Sequence, residues 1–178
     1  MYTVIWAATT SSGPGLRDVS PESGAATDYP HDASKQPHDA KGMELKSTLQ
    51  HVEAVVLAAG RSRRMGRPKQ LLPLPGGTSV IERVVSNVAP HVERVIVVVG
   101  HLPGQVGALA ARRGADIAVN SDVDLGMLAS VQSGIRSLSA QATGVLLCLG
   151  DQPEVEGTSI AQVLQAANTY DIVIPTYH

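Results

Sequence analysis

From Val52 onward the chain alternates continuous apolar runs, rich in β-branched residues, with amphipathic segments of helix length. No other feature limits the fold as strongly. Val52–Ala58, Arg94–Val99, Ala115–Val119, Gly144–Leu149 and Asp171–Ile174 read as strands. Between them lie a helix capped by Thr78 or Ser79 and running to Ala89, a second over Pro103–Arg113, a third over Gly126–Leu138 and a fourth over Thr158–Asn168. In the third, Leu128, Val131, Ile135 and Leu138 are spaced for one apolar face. A strand wet on one side alternates polar and apolar residues, whereas a continuous apolar run implies burial on both faces. Strands of that kind alternating with helices predict an α/β fold with a doubly wound, parallel sheet. Ligands of such sheets bind beyond the carboxyl ends of the strands. Chemistry is therefore expected at residues 58–70, 100–102, 120–127 and 150–153.

Phe is absent, so the core must be built from Val, Leu, Ile and Ala. No apolar run approaches the roughly 18 residues that cross a bilayer, so no membrane association is expected. The opening MYTVIWAATTSS lacks the early positive charge of a signal peptide. One cysteine, Cys148, leaves no internal disulfide and suits a reducing compartment, which points to the cytoplasm. Its place inside an apolar run makes it a small buried hydrophobe rather than a nucleophile.

Residues 1–50 differ in kind. They are rich in Ser, Pro, Gly, Asp and Ala and show no sustained period, so a disordered tail is expected, followed by one domain over 51–178. A short repeat, Pro30-His-Asp-Ala and Pro37-His-Asp-Ala, supplies two His-Asp pairs, but no further ligands at fixed spacing make a metal site of them. Residues 1–51 carry four Lys or Arg and six Asp or Glu, while residues 52–178 carry ten of each. The domain is thus formally neutral, and nucleic acid, which wants a broad basic face, is not an expected partner.

Half of the domain's positive charge nevertheless falls in LAAGRSRRMGRPKQLLPL, residues 57–74, as Arg61, Arg63, Arg64, Arg67 and Lys69. The spacing Gly60, Gly66, Lys69, Gln70 does not match a P-loop, and no Gly-x-Gly-x-x-Gly fingerprint is present. What remains is Ala58-Ala59-Gly60 at a strand end, where small side chains admit a ligand close to backbone N–H groups. Guanidinium groups and Lys69 nearby suit several phosphates at once, as in a nucleoside triphosphate. Gly150-Asp151-Gln152-Pro153 follows the fourth strand, so Asp151 should emerge on the same edge, where a carboxylate beside a polyphosphate can hold Mg²⁺. Asn120 to Ser130 opens the third helix. Within it Asn120 and Ser130 are candidate nucleotide contacts, whereas Ser121, Asp122 and Asp124 read as turn and capping residues. His101, after Gly100, suits substrate contact and solvent equally well, and His51 and His91 show no partners in the sequence.

Taken in order, LAAGRSRRMGRPKQLLPL, VIVVVGH, NSDVDLGMLASVQSGI, LLCLGDQP and IVIPTYH resemble the MobA-like nucleotidyltransferases, most closely their molybdenum cofactor cytidylyltransferase branch. The resemblance covers residues 52–178. It implies a Rossmann-like nucleotidyltransferase fold and Mg²⁺-dependent transfer of a nucleotidyl group, CMP from CTP, to a molybdopterin-type acceptor with release of pyrophosphate. By motif, Leu57, Ala58, Ala59 and Gly60 would contact the nucleotide through backbone groups. Lys69 would bind its phosphates with Arg64 assisting, and Asp151 would hold the metal. The Ala-Ala-Gly form of the first block resembles cytidine users more than guanosine users. The family's sequences continue past Pro175-Thr-Tyr-His178 into a glycine-rich segment and acceptor-side residues, so a C-terminally truncated domain is expected. The alternatives are a related pyrophosphorylase using GTP or a sugar phosphate, and a non-catalytic module that binds nucleotide or a molybdoenzyme or its maturation chaperone.

Overall fold

The computed structural model describes residues 6–9, 50–62 and 65–175. Its elements in chain order are β1 (Trp6–Thr9), β2 (Val52–Leu57), α1 (Val80–Val88), β3 (Arg94–Val99), α2 (Pro103–Ala111), β4 (Asp116–Val119), α3 (Met127–Arg136), β5 (Gly144–Leu149), α4 (Gly157–Ala167) and β6 (Ile172–Val173). Six strands form one sheet in the order β4-β3-β2-β5-β1-β6. β2 pairs in parallel with both β3 and β5, and β3 in parallel with β4. The doubly wound, mostly parallel sheet expected from the sequence is present.

Parity along β2 divides the core. Val52, Ala54 and Val56 face one cluster, shared with Ile81, Val85, Val106 and Ile160 from α1, α2 and α4. Val55 and Leu57 face the other, with Ile96, Val98 and Val145, against Val131 of α3. Every residue of β2 is buried, as a continuous apolar run requires. Even Glu53 is inside the fold. It lies 3.4 Å from the Arg94 guanidinium and accepts the Ser139 N–H at 3.1 Å, while Arg94 donates to the Ser137 carbonyl at 3.0 Å. This network fastens the end of α3 to the central strands.

Four expectations are corrected. β4 is an edge strand, so Val119 stays 62% exposed and the run is not buried on both faces. α3 buries Ala129, Ser130 and Gly134; of the expected apolar face, Val131 and Leu138, just past the helix, pack against the core, while Leu128 and Ile135 are exposed. The helix lies so close to the sheet that a Cβ on Gly134 would stand 2.3 Å from Val55 Cγ1. His51 does have a partner, Glu93 Oε1 at 2.8 Å from its Nδ1, a pairing between elements that sequence spacing does not reveal.

The fourth concerns the tail. Trp6–Thr9 joins the sheet antiparallel to β5, with Trp6 opposite Leu147 and Thr9 opposite Gly144, and also pairs with β6. Without it, β5 would present an open row of backbone donors and acceptors on the side away from β2. Four residues are too few to display a period, so the sequence pattern could not mark this strand. The remainder of the expected tail lies outside the described residues. No helix among the described residues is long and apolar enough to cross a membrane.

Candidate active site

The carboxyl ends of β2 and β5 meet at Gly150. Its N–H donates to the Leu57 carbonyl at 2.9 Å. A Cβ there would stand 2.8 Å from that oxygen and 3.0 Å from Ala58 Cβ, so only glycine lets the two strand ends approach. This contact brings Asp151 beside the loop that follows β2, on the edge where it was expected. Lys69 Nζ lies 3.2 Å from Asp151 Oδ2.

The loop carrying Lys69 is held by Ser62. The Ser62 hydroxyl accepts the Lys69 backbone N–H at 3.1 Å, and its carbonyl accepts the Met65 N–H at 2.9 Å. Ser62 pays for this with a left-handed backbone, φ 49°, a conformation that strains a residue bearing a Cβ and concentrates at functional sites. Lys69–Leu71 then form one turn of 3₁₀ helix that turns Gln70 inward.

A cleft of about 320 Å³ opens here, bounded by Ala59, Gly60, Gln70, Met127, Ser130 and Asp151. Within the described residues, the Ala58 N–H is engaged by the Val98 carbonyl at 2.8 Å, and the Leu57 carbonyl by Gly150. Ala59 and Gly60, which line the cleft with Leu57, therefore have the N–H groups that can meet a ligand. A second groove, of about 380 Å³, lies beyond the amino ends of the strands against α4. No Lys or Arg lines it, so it offers polyphosphate no charge.

Asn120 and Ser130 come together. Asn120 Nδ2 donates to Ser130 Oγ at 3.0 Å, and Asn120 Oδ1 accepts the Asp122 N–H at 2.9 Å. Both side chains are buried, and Ser130 faces the cleft. Asn120 thus braces the loop behind the cleft, and Ser130 is the member of the pair that lines it. The expected capping role of the aspartates is not what the structure has. Asp122 makes no side-chain cap, and α3 starts at Gly126 without one. Asp124 instead reaches across to Arg61, 2.9 Å away, joining the loop after β2 to the segment before α3. Arg63 and Arg64 lie outside the described residues. Ser62, Gln70 and the Arg61–Asp124 pair escaped the sequence-based expectations, because each acquires its role from a contact rather than from a motif.

Cys148 sits in β5 with its thiol pushed up to about 12 by burial, so it remains a protonated, inert group.

For a divalent cation the donor set is spare. Among the described residues no group of three or more His, Cys, Asp or Glu side chains gathers. Asp151 at the edge of the cleft fits Mg²⁺, which is commonly held by one or two carboxylates together with substrate phosphates and water. It does not fit a cation held by protein ligands alone.

The fold and this cleft define an α/β nucleotidyltransferase-type domain. The chain belongs to the MobA-like NTP transferase domain family, whose model matches residues 54–178. It is 29% identical over 129 residues to a probable molybdenum cofactor guanylyltransferase of Methanosarcina acetivorans, covering 70% of this chain and 56% of that protein. It is 33% identical over 114 residues to nicotine blue oxidoreductase of Paenarthrobacter nicotinovorans, covering 64% and 55%. The crystal structure of Rv0371c from Mycobacterium tuberculosis H37Rv superposes with a TM-score of 0.59 at 34% identity, covering 68% of this chain and 62% of that one. The same protein's manganese complex superposes at 0.55, with 29% identity and coverage of 67% and 60%. The chain spans about half the length of these curated relatives.

Proposed function

We propose that the cleft binds a nucleoside triphosphate with Mg²⁺ and that the domain transfers its nucleotidyl group to a phosphorylated, molybdopterin-type acceptor, releasing pyrophosphate. The observation that carries this is the meeting of Lys69 with Asp151, 3.2 Å apart, beside the N–H groups of Ala59 and Gly60. An ammonium and a carboxylate beside the small residues that end β2 form a set suited to phosphoryl chemistry, which requires positioning and charge stabilisation rather than a covalent intermediate.

In this account Ala59 and Gly60 donate to the nucleotide, and Lys69, with Arg64 assisting, binds the phosphates and stabilises charge on the departing pyrophosphate. Asp151 holds the cation, which when bound neutralises phosphate charge. Ser130 contacts the nucleoside, and Asn120 keeps Ser130 and its loop in place. The acceptor phosphate attacks the α-phosphorus in line, breaking its bond to the bridging oxygen of the pyrophosphate.

CTP is the proposed donor, on the Ala58-Ala59-Gly60 form of the first motif. GTP is its direct competitor, because curated relatives carry the guanylyltransferase name. A manganese complex of a structural relative supports a divalent metal without deciding which one. Incubating the chain with CTP, GTP, UTP or ATP, Mg²⁺ and molybdopterin, and measuring pyrophosphate, tests the proposal. Release with CTP above all others is expected. Release with GTP alone overturns the donor assignment, and release with none overturns transferase activity for this chain.

A further inference from the structure

Gln70 is the anomaly in the wall of the cleft. Its residue is only 5% exposed, and its side-chain carbonyl oxygen is buried with no hydrogen-bond partner. Buried amide oxygens are nearly always paired, because an orphan keeps its desolvation penalty with no compensating bond. A leucine would pack the same turn without that penalty. The residue directly follows Lys69 and bounds the same cleft as Gly60, Ser130 and Asp151.

The orphan is an acceptor, so its partner must bring a hydrogen. Ionised phosphates and the Asp151 carboxylate offer only acceptors, and the Lys69 ammonium faces Asp151. The triphosphate therefore cannot satisfy Gln70, whereas a nucleoside can, through ribose O–H or base N–H groups. We propose that Gln70 is a nucleoside-recognition residue whose Oε1 accepts a hydrogen bond from the sugar or base of the bound nucleotide. This rests on the nucleotide assignment of the cleft. Gln70 then separates nucleotides from bare polyphosphates, a discrimination that Lys69, Asp151 and the loop N–H groups cannot make.

The test compares wild type with Gln70→Leu and Gln70→Met, titrated calorimetrically in Mg²⁺ with CTP, GTP and inorganic tripolyphosphate. Tripolyphosphate brings the metal and its waters but no nucleoside. The variants should bind the preferred nucleotide about fivefold more weakly, the scale of one lost hydrogen bond. They should bind tripolyphosphate within about twofold of wild type and melt no lower than wild type. Unchanged nucleotide affinity in both variants overturns the proposal, as does an equal loss for nucleotide and tripolyphosphate. A wild-type chain that binds no nucleotide overturns the nucleotide assignment itself, a distinct result. If the gap between wild type and variant disappears with 2′-deoxynucleotides, the donor is the ribose 2′-hydroxyl. If it persists there, the donor is elsewhere on the nucleoside.

Discussion

Lys69 Nζ and Asp151 Oδ2 stand 3.2 Å apart across the carboxyl ends of β2 and β5, although 82 residues separate them in the chain. The two side chains are 46% and 35% exposed, and a pair so placed contributes at most about 1 kcal/mol to stability. In the proposed function each group would hold the other until a phosphate gives Lys69 a better partner and a cation takes its place at Asp151.

Lys69→Ala and Asp151→Ala should each lower turnover by roughly 10²–10³-fold, the range for losing one electrostatic stabiliser, while leaving the melting temperature nearly unchanged. Pyrophosphate release and thermal melts on the same preparations check both halves. Near-normal rates in either variant contradict the assigned roles.

Gly134→Ala sets two effects of opposite sign against each other. Alanine favours a helix interior by up to about 1 kcal/mol over glycine. Its Cβ, however, would stand 2.3 Å from Val55 Cγ1, in a strand residue that is fully buried. Overpacking of this kind usually costs about 1–3 kcal/mol, so net destabilisation is expected. Urea denaturation reads it, and a variant more stable than wild type would refute the close approach of α3.

Acid should weaken the start of α1. Ser79 and Glu82 form a reciprocal capping box, with Glu82 Oε2 accepting the Ser79 N–H at 2.9 Å and its hydroxyl at 2.8 Å. The backbone hydrogen bond from Ser79, then that from its hydroxyl, holds the Glu82 carboxyl below its usual range, with Arg113 contributing less. A lowered carboxyl adds stability above its unfolded pKa that is lost as pH falls through the folded one. Wild type should therefore lose stability below the ordinary carboxylate range more steeply than Glu82→Gln. Ser79→Ala should cost about 1 kcal/mol at neutral pH. Equal acid slopes for wild type and Glu82→Gln would count against the linkage.

Cys148 should resist iodoacetamide in the folded protein at pH 8, because its thiol is buried and titrates only near 12. Labelling should appear with unfolding. Rapid labelling of the native chain would show that β5 opens or that the thiol is accessible.

The strand pattern in the sequence located β2, β3 and β5 to within a residue because all three are buried on both faces, where a continuous apolar run has one meaning. It failed where contacts, rather than patterns, decide. β4 reads as an apolar run after Asp116 but lies at an edge, and α3 brings Gly134 against the sheet. Trp6–Thr9 is too short to show a period. Lys69 and Asp151 were singled out from the sequence, Asp151 for its place after β5 where a parallel sheet binds ligands, and the structure brings the two side chains together. Gln70, Ser62 and the Arg61–Asp124 tie were not, since an orphaned oxygen, a strained turn and a cross-loop ion pair exist only in three dimensions. Asn120 was picked out as a ligand contact, whereas its hydrogen bonds to Ser130 and from the Asp122 N–H, which brace the loop, were not foreseen.

The central claim is that the cleft between Gly60, Ser130 and Asp151 is a metal-dependent nucleoside triphosphate site. Calorimetric titration of CTP and GTP into wild type, Lys69→Ala and Asp151→Ala, with and without Mg²⁺, tests it most directly. Saturable binding that requires Mg²⁺ in wild type, is weakened at least about tenfold by Lys69→Ala and loses its Mg²⁺ dependence in Asp151→Ala is the predicted result. No binding by wild type, or binding indifferent to both substitutions, would contradict it.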